Sequence, residues 1–264
     1  MAELSNRLPD FLGYKGKTAI VTGGSSGIGR ATALALAAYG ASVVIVGRCE
    51  TALTETTGMS SESAAPNTKM TSIAADLSEE SAPALVIEQA TEQLGGIDLL
   101  VNAAAFMHRE QLEGETTEES VWNKVMQTNL RAPYLLSKLC VPALRERKGA
   151  IVNVSSIWAH IGAKKQVAYS TSKAALIEMT RSLSLDLAAD KIRVNCVCPS
   201  TTRTPLIHQG RSSFDEAAVA AVHPLGRIAE PFDVANAILF LGSGNAAGWI
   251  TGTSLTVDGG YTVQ

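Results

Sequence analysis

Thr22-Gly23-Gly24-Ser25-Ser26-Gly27-Ile28-Gly29 joins the apolar run Lys17–Thr22 (KTAIVT) to a helical pattern running from about Ser26 to Tyr39. Glycines between a strand and a helix let the chain turn tightly and bring its backbone close to a bound group. The helix N-terminus behind them offers unpaired N–H groups and a positive dipole end, which suits a pyrophosphate. The spacing is Gly-x₃-Gly-x-Gly, not the commoner GxGxxG, and a tight strand–helix turn remains the simpler alternative. Its position between a strand and a helix favours a dinucleotide site.

Outward from this turn, short apolar runs alternate with helical patterns, which predicts βαβ units and a parallel sheet. Gly40 stops the first helix, and Ser42–Val46 (SVVIV) is a second strand. Lys69–Ala75 is a third, followed by a helix near Glu79–Leu94 and a fourth strand, Ile97–Val101. Thr116 and Glu119 have capping-box spacing, predicting a long helix toward Arg147 that Pro133 and Pro142 kink or split. Ala150–Val154, Ile192–Cys198 and Thr253–Val257 complete the strands, with a long helix at Val167–Ala188. No repeat or low-complexity linker interrupts the pattern. The expectation is one domain over residues 1–264, with an N-terminal arm to residue 14.

Composition narrows the function. The chain has 264 residues, 46% of them hydrophobic, and 22 basic against 25 acidic groups for a net charge of −3. That supports a large core and lacks the electrostatic footprint of a nucleic-acid binder. No apolar leader opens the sequence, and the most apolar stretch, Ala31–Gly47, is broken by Tyr39, Gly40 and Ser42, so no membrane span is expected. Cys49, Cys140, Cys196 and Cys198 form no CxxC, which fits reduced thiols in a cytoplasmic protein. No His has metal-ligand spacing to a second ligand, so no metal is expected.

The second strand ends at Gly47-Arg48, where an acid would contact the ribose 2′-hydroxyl of NAD. An arginine there can bind a 2′-phosphate through charge-assisted hydrogen bonds, which favours NADP(H), although a solvated strand-end arginine reads the same. Tyr169-Ser170-Thr171-Ser172-Lys173 sets Tyr and Lys four apart on one helix face. A neighbouring ammonium is expected to lower the phenol pKa toward neutrality, making Tyr169 a general acid or base. Ser156 lies just beyond the fifth strand, on the carboxyl side of the sheet where open α/β folds bind ligands.

Together, TGGSSGIG at Thr22–Gly29, YSTSK at Tyr169–Lys173, Asn129 in TNLRAP and Ser156 in VNVSS resemble the short-chain dehydrogenase/reductase family. Asp76-Leu77, Asn102-Ala103, Arg193-Val194-Asn195 and the terminal DGGY continue the likeness from about residue 14 to the end. The resemblance implies an α/β fold: a doubly wound, Rossmann-like three-layer sandwich on a mainly parallel, seven-stranded sheet. It implies that Tyr169 exchanges a proton with the substrate oxygen, which Ser156 polarises. Lys173 would hold the nicotinamide ribose, and Asn129 would support a proton relay through water. Gly23, Ser25, Ser26, Gly27, Ile28 and Gly29 would surround the pyrophosphate. Asp76 and Leu77 would meet the adenine, with Asn102 and Ala103 beside the adenosine end. Pro199, Thr202 and Thr204 would lie near the nicotinamide.

The chain departs from the family pattern twice. Asn102-Ala103-Ala104 stands for Asn-Ala-Gly, and a methyl at Ala104 crowds the cofactor floor unless its φ is negative. Pro199-Ser200 stands for Pro-Gly beside the nicotinamide.

A ketone/secondary-alcohol oxidoreductase using NADP(H) is the first reading. An NAD(H)-dependent alcohol dehydrogenase and a non-catalytic nucleotide sensor are the alternatives, the last disfavoured because Asn129, Ser156, Tyr169 and Lys173 stand together. Segment 200–224 is expected to act as a substrate lid, with a helix capped near Ser213. Trp158, His160, Gln166, Phe106 and Ile207 are candidate walls for a small carbonyl or alcohol substrate. His108, Arg109, His160, Lys164, Lys165, His208 and Arg211 make the loops basic, which would favour an anionic substrate unless all are solvated. The resemblance implies a homotetramer. The Leu176, Met179, Leu183, Leu187 stripe fits a core or an interface equally.

Overall fold

The computed structural model describes residues 10–109, 119–209 and 214–264. Seven strands form one wholly parallel sheet: β1 Thr18–Thr22, β2 Ser42–Gly47, β3 Met70–Ala74, β4 Leu99–Asn102, β5 Ala150–Val154, β6 Arg193–Pro199 and β7 Ser254–Val257. Their order is β3-β2-β1-β4-β5-β6-β7. Parallel strands need crossover helices on both faces, so interior strands must be apolar on both sides. Successive residues accordingly enter two separate cores. Ala19, Val21, Val43 and Ile45 pack on one face, while Ile20, Val44 and Val46 pack on the other.

The described helices are α1 Gly27–Ala38, α2 Glu50–Ser63, α3 Ala82–Leu94, α4 Glu119–Met126, α5 Ala132–Arg147, α6 Val167–Asp186, α7 Glu216–Ala221 and α8 Pro231–Gly242. From α1 and α8, Leu36, Val234 and Ile238 belong to the first core. From α3 and α5, Val86, Leu136 and Leu144 belong to the second. The strand order reverses between β1 and β4, which places a crevice at their carboxyl ends.

Several boundaries and helices differ from the sequence reading. The long helix ahead of β5 is split not at a proline but by a π-helical turn, Gln127–Arg131. Pro133 starts α5, where its missing N–H costs nothing, and Pro142 sits inside α5 without ending it. The Thr116 cap lies outside the described residues, as do Arg211 and Ser213. The following helix, α7, begins later and is capped by Asp215, whose carboxylate accepts the Ala218 N–H at 3.0 Å. Helix α2 was not expected because its sequence, ETALTETTGMSSES, carries almost no apolar periodicity. Helix α8 was missed although Pro231 stands at its start and the Asp233 carboxylate accepts the Glu230 N–H at 2.8 Å. The Leu176–Leu187 stripe resolves to core at both ends, since Leu176 and Leu187 are buried.

Candidate active site

The glycine-rich turn supplies one end of a cleft. Helix α1 starts at Gly27, its N-cap Ser26 makes no side-chain capping bond, and no acid occupies its first turn. The positive end of the helix therefore faces the cleft unneutralised. A Cβ on Gly29 would stand 2.3 Å from the Gly23 carbonyl, so only glycine allows the helix to pack this close to the turn. Gly27, at φ +52°, would thrust a Cβ to 2.8 Å from Thr204 Cγ2. Glycine is thus required where the groove narrows. Arg30, which sequence reasoning passed over, pins the loop by donating to the Ser25 carbonyl at 2.6 Å.

Gly23, Ser25, Ser26, Gly27, Ile28, Gly29, Arg48, Asp76, Leu77 and Ala103 all line this groove. Arg48 is exposed at the end of β2 and makes no hydrogen bond or ion pair. Burial pushes the Asp76 carboxyl up, but hydrogen bonds from the Ser78 N–H and hydroxyl and the charges of Arg48 and Lys124 hold it below the usual carboxylate range. These residues fit a dinucleotide: glycines keep the groove clear, a bare helix N-terminus there would suit a pyrophosphate, and no carboxylate stands at the end of β2.

Asn102 does not join them. It is buried, its amide donates to Asn153 Oδ1 at 2.9 Å, and it ties β4 to β5 beneath the cleft. The turn above is instead held by Thr22, whose hydroxyl accepts the N–H groups of Ala103 (3.0 Å) and Ala104 (3.1 Å). Neither Ala104 nor Ser200 has a positive φ, so both departures from the family pattern leave the backbone unstrained. Ser200 gains a partner in His223: Nδ1 donates to the Val219 carbonyl at 2.7 Å, leaving Nε2 to accept the Ser200 hydroxyl at 2.7 Å.

The groove opens into a chamber lined by Ser156, Tyr169 and Lys173, with Pro199, Thr202, Thr204, Trp158, Gln166 and Ile207 around them. Ser156 follows β5 and lies within hydrogen-bond reach of the Tyr169 phenol. One turn along α6, Lys173 Nζ lies 5.7 Å from the Tyr169 ring centre and donates to the Val154 carbonyl at 2.7 Å. The π-helical turn carries Asn129 into full burial, where its carbonyl accepts the Phe106 N–H at 2.8 Å. Its amide donates to the Phe106 carbonyl and to Ser172 Oγ.

Three expectations fail here. Burial raises the Tyr169 phenol to about 12 against the opposing Ser156 hydrogen bond, instead of lowering it. The expected ammonium is itself penalised, since burial brings Lys173 down to about 8. His160 is exposed, lies near the Cys198 thiol and does not line the chamber. Phe106, clamped by Asn129, lines the dinucleotide end and not the substrate chamber. Met107 and Arg109 form the wall expected of Phe106, a displacement that the spacing did not reveal. Among the described residues no cluster of His, Cys, Asp or Glu could hold a metal.

Comparison with known proteins agrees with this layout. Residues 23–262 match the family model described as Enoyl-(Acyl carrier protein) reductase. The cis-4-hydroxycyclohexanecarboxylate dehydrogenase of Sinomonas cyclohexanicum is 37% identical, over 93% of this chain and 96% of its own. A 3-ketoacyl-(acyl-carrier-protein) reductase of Brucella melitensis, solved with NADH, superposes with a TM-score of 0.85 at 31% identity, covering 95% of this chain and 100% of its own. A Beutenbergia cavernae protein assigned as an NAD(P)-dependent gluconate 5-dehydrogenase, with NADP at low occupancy, gives 0.87 at 32%, covering 96% and 100%. A parallel sheet with this groove and chamber, matched along nearly the whole chain, makes the protein an oxidoreductase of the short-chain dehydrogenase/reductase family.

Proposed function

We propose that this protein interconverts a ketone and a secondary alcohol using NADP(H), with Tyr169 as general acid/base. The observation that carries the reading is the meeting of Ser156, Tyr169 and Lys173 at the inner end of the glycine-lined groove. When bound, the dinucleotide would be held by residues of the Gly23–Gly29 turn, Arg48, Asp76 and Leu77 and would supply or accept the hydride. Reduction builds negative charge on the carbonyl oxygen, so hydroxyls of Ser156 and Tyr169 directed there stabilise the transition state. A phenol with a pKa near 12 keeps its proton at neutral pH and serves as the acid of the reductive direction. Lys173 orients the ribose, and Asn129 supports the relay that returns a proton to Tyr169.

Arg48 favours the 2′-phosphate because it has no competing partner. NAD(H) is the second reading, since the similar Brucella protein was solved with NADH. Titration of the purified protein with NADPH and with NADH separates the two. The expected result is tighter NADPH binding that falls ~10- to 100-fold in Arg48→Ala, with NADH little affected. Equal or tighter NADH binding would overturn the cofactor assignment.

The chain functions as one domain, with segment 200–224 as the lid. Its 3-10 turn Pro205–His208 places Leu206 against both groove and chamber. Four free thiols, three of them buried, suit a reducing compartment such as the cytoplasm. No helix among the described residues is long and apolar enough to cross a membrane. Exposed Tyr134 and Leu139 on α5 and Leu185 on α6 support assembly into a homotetramer.

A further inference from the structure

Most of the arginines in the described residues are occupied. Arg30, Arg131, Arg145, Arg181, Arg203 and Arg227 each pair with a carboxylate, and Arg147 and Arg193 donate to backbone carbonyls. Only Arg48 and Arg109 have no hydrogen-bond or ion-pair partner, and both line the cleft, one at each end. Arg48 faces the dinucleotide groove, whereas Arg109 stands in the wall of the substrate chamber. Its Nε is buried without an acceptor. A half-buried guanidinium without acceptor or counter-ion is costly, and the cost is relieved when an anion arrives.

A second unmet group faces the same space. Gln166, one turn ahead of Tyr169, is 3% exposed, and its buried Oε1 accepts no hydrogen bond. Among the described residues no Asp or Glu lines the chamber, and Arg109 and Lys173 are its cations. Met107, Trp158 and Ile207 add apolar wall, and Ser200, Thr201 and Thr202 add neutral polar groups. Of the basic loop residues in the sequence, His160 faces away from the chamber and His208 stacks on Phe214 with ring centres 5.5 Å apart. Of the described loop cations, Arg109 is the one that lines the chamber.

We propose that Arg109 is the anion-binding, specificity-determining residue of the chamber, and that the substrate is an oxo or hydroxy carboxylate. Its carboxylate pairs with the Arg109 guanidinium. The reacting carbon lies beside Ser156 and Tyr169, and a substrate that also carries a hydroxyl or N–H can donate it to Gln166 Oε1. This rests on the oxidoreductase reading and adds the class of substrate.

Binding and turnover together test it. Calorimetry on the protein saturated with NADP⁺ compares 4-oxocyclohexanecarboxylate with 4-oxocyclohexanecarboxamide, a near-isosteric pair in which a neutral NH₂ replaces the charged oxygen. The acid is expected to bind at least ~10-fold tighter. Arg109→Ala and Arg109→Gln should abolish that advantage by weakening the acid far more than the carboxamide, with cofactor affinity retained, and Arg109→Lys should keep part of it. Gln166→Glu should weaken the acid more than Gln166→Leu does, since it sets a second carboxylate beside the first. In steady state with NADPH, the loss in Arg109→Ala should fall on KM for the acid more than on kcat.

Equal affinity for acid and amide, or an acid advantage that survives both Arg109 replacements, overturns the anion subsite. If the neutral ketone is still reduced in that case, the oxidoreductase reading stands and only the substrate class falls. Failure to bind either NADPH or NADH overturns the oxidoreductase reading and the subsite with it.

Discussion

At the residue scale, the site combines two buried titratable groups whose charged forms are both penalised. Tyr169 is pushed up to about 12 and Lys173 down to about 8, each mainly by loss of water. Replacing Tyr169 by Phe removes the proposed proton donor but little volume. Turnover should fall ~10²- to 10⁴-fold with dinucleotide binding retained, as stopped-flow reduction and cofactor titration would show. Lys173→Met tests the burial cost through pH. The unfolded lysine titrates near ~10.4, so between pH 8 and that value the unfolded chain binds more protons and stability rises with pH. Below pH 8 the full cost of the buried ammonium is present. The Met variant lacks this dependence, so its Tm relative to the wild-type protein should be highest near pH 7 and fall as pH approaches 10. A difference independent of pH in differential scanning calorimetry would refute the burial argument. Tyr169 is common to both proteins, and its own loss of stability above pH 10 cancels in the comparison.

At the element scale, the π-helical turn Gln127–Arg131 does what an unbroken helix would not. It inserts Asn129 between the segment after β4 and helix α6, where one side chain bridges Phe106 and Ser172. Asn129→Ala leaves the Phe106 N–H without its acceptor and should cost about 2–3 kcal/mol in chemical denaturation. Turnover should fall as well, since Phe106 lines the groove and Met107 the chamber. An unaltered denaturation midpoint would show that the bridge contributes nothing. The motif TNLRAP was legible as a resemblance, but the widened turn that aims Asn129 was not, because a π turn leaves no distinct apolar period. Helix α2 was hidden for a related reason. Its Ser- and Thr-rich sequence has little amphipathic contrast, and tertiary packing of Leu53 and Thr56 is what fixes it.

At the scale of the whole molecule, β6 anchors the C-terminal half. Arg193 donates to the carbonyls of Leu241, Gly242, Ser243 and Ile250, closing the C-terminal end of α8 onto the sheet. A cation at a helix C-terminus is favoured by the dipole, and four carbonyls would lose a donor together if it were removed. Arg193→Met should therefore lower Tm by more than any single surface ion-pair deletion, such as Arg181→Ala. A second prediction concerns assembly. Sedimentation should show a tetramer, and Leu139→Glu with Leu185→Glu should shift it to smaller species while the circular dichroism spectrum is unchanged. A monomeric wild-type protein would remove the assembly proposal and leave the site untouched.

The sequence by itself determined the β1–turn–α1 unit and the parallel alternation, and it set Tyr169 and Lys173 one turn apart on one helix. These depend on local rules: glycine where the backbone must pass close, two-sided apolar runs for interior strands, and four-residue spacing on one helix face. The tertiary structure decided which side chains point where. It buried Asn102 under the cleft, left His160 exposed, moved Phe106 to the dinucleotide end and set Arg109 in the wall of the chamber. It also reversed the expected tyrosine shift, because a pKa depends on the water removed by every neighbouring element, and no spacing within one helix encodes that.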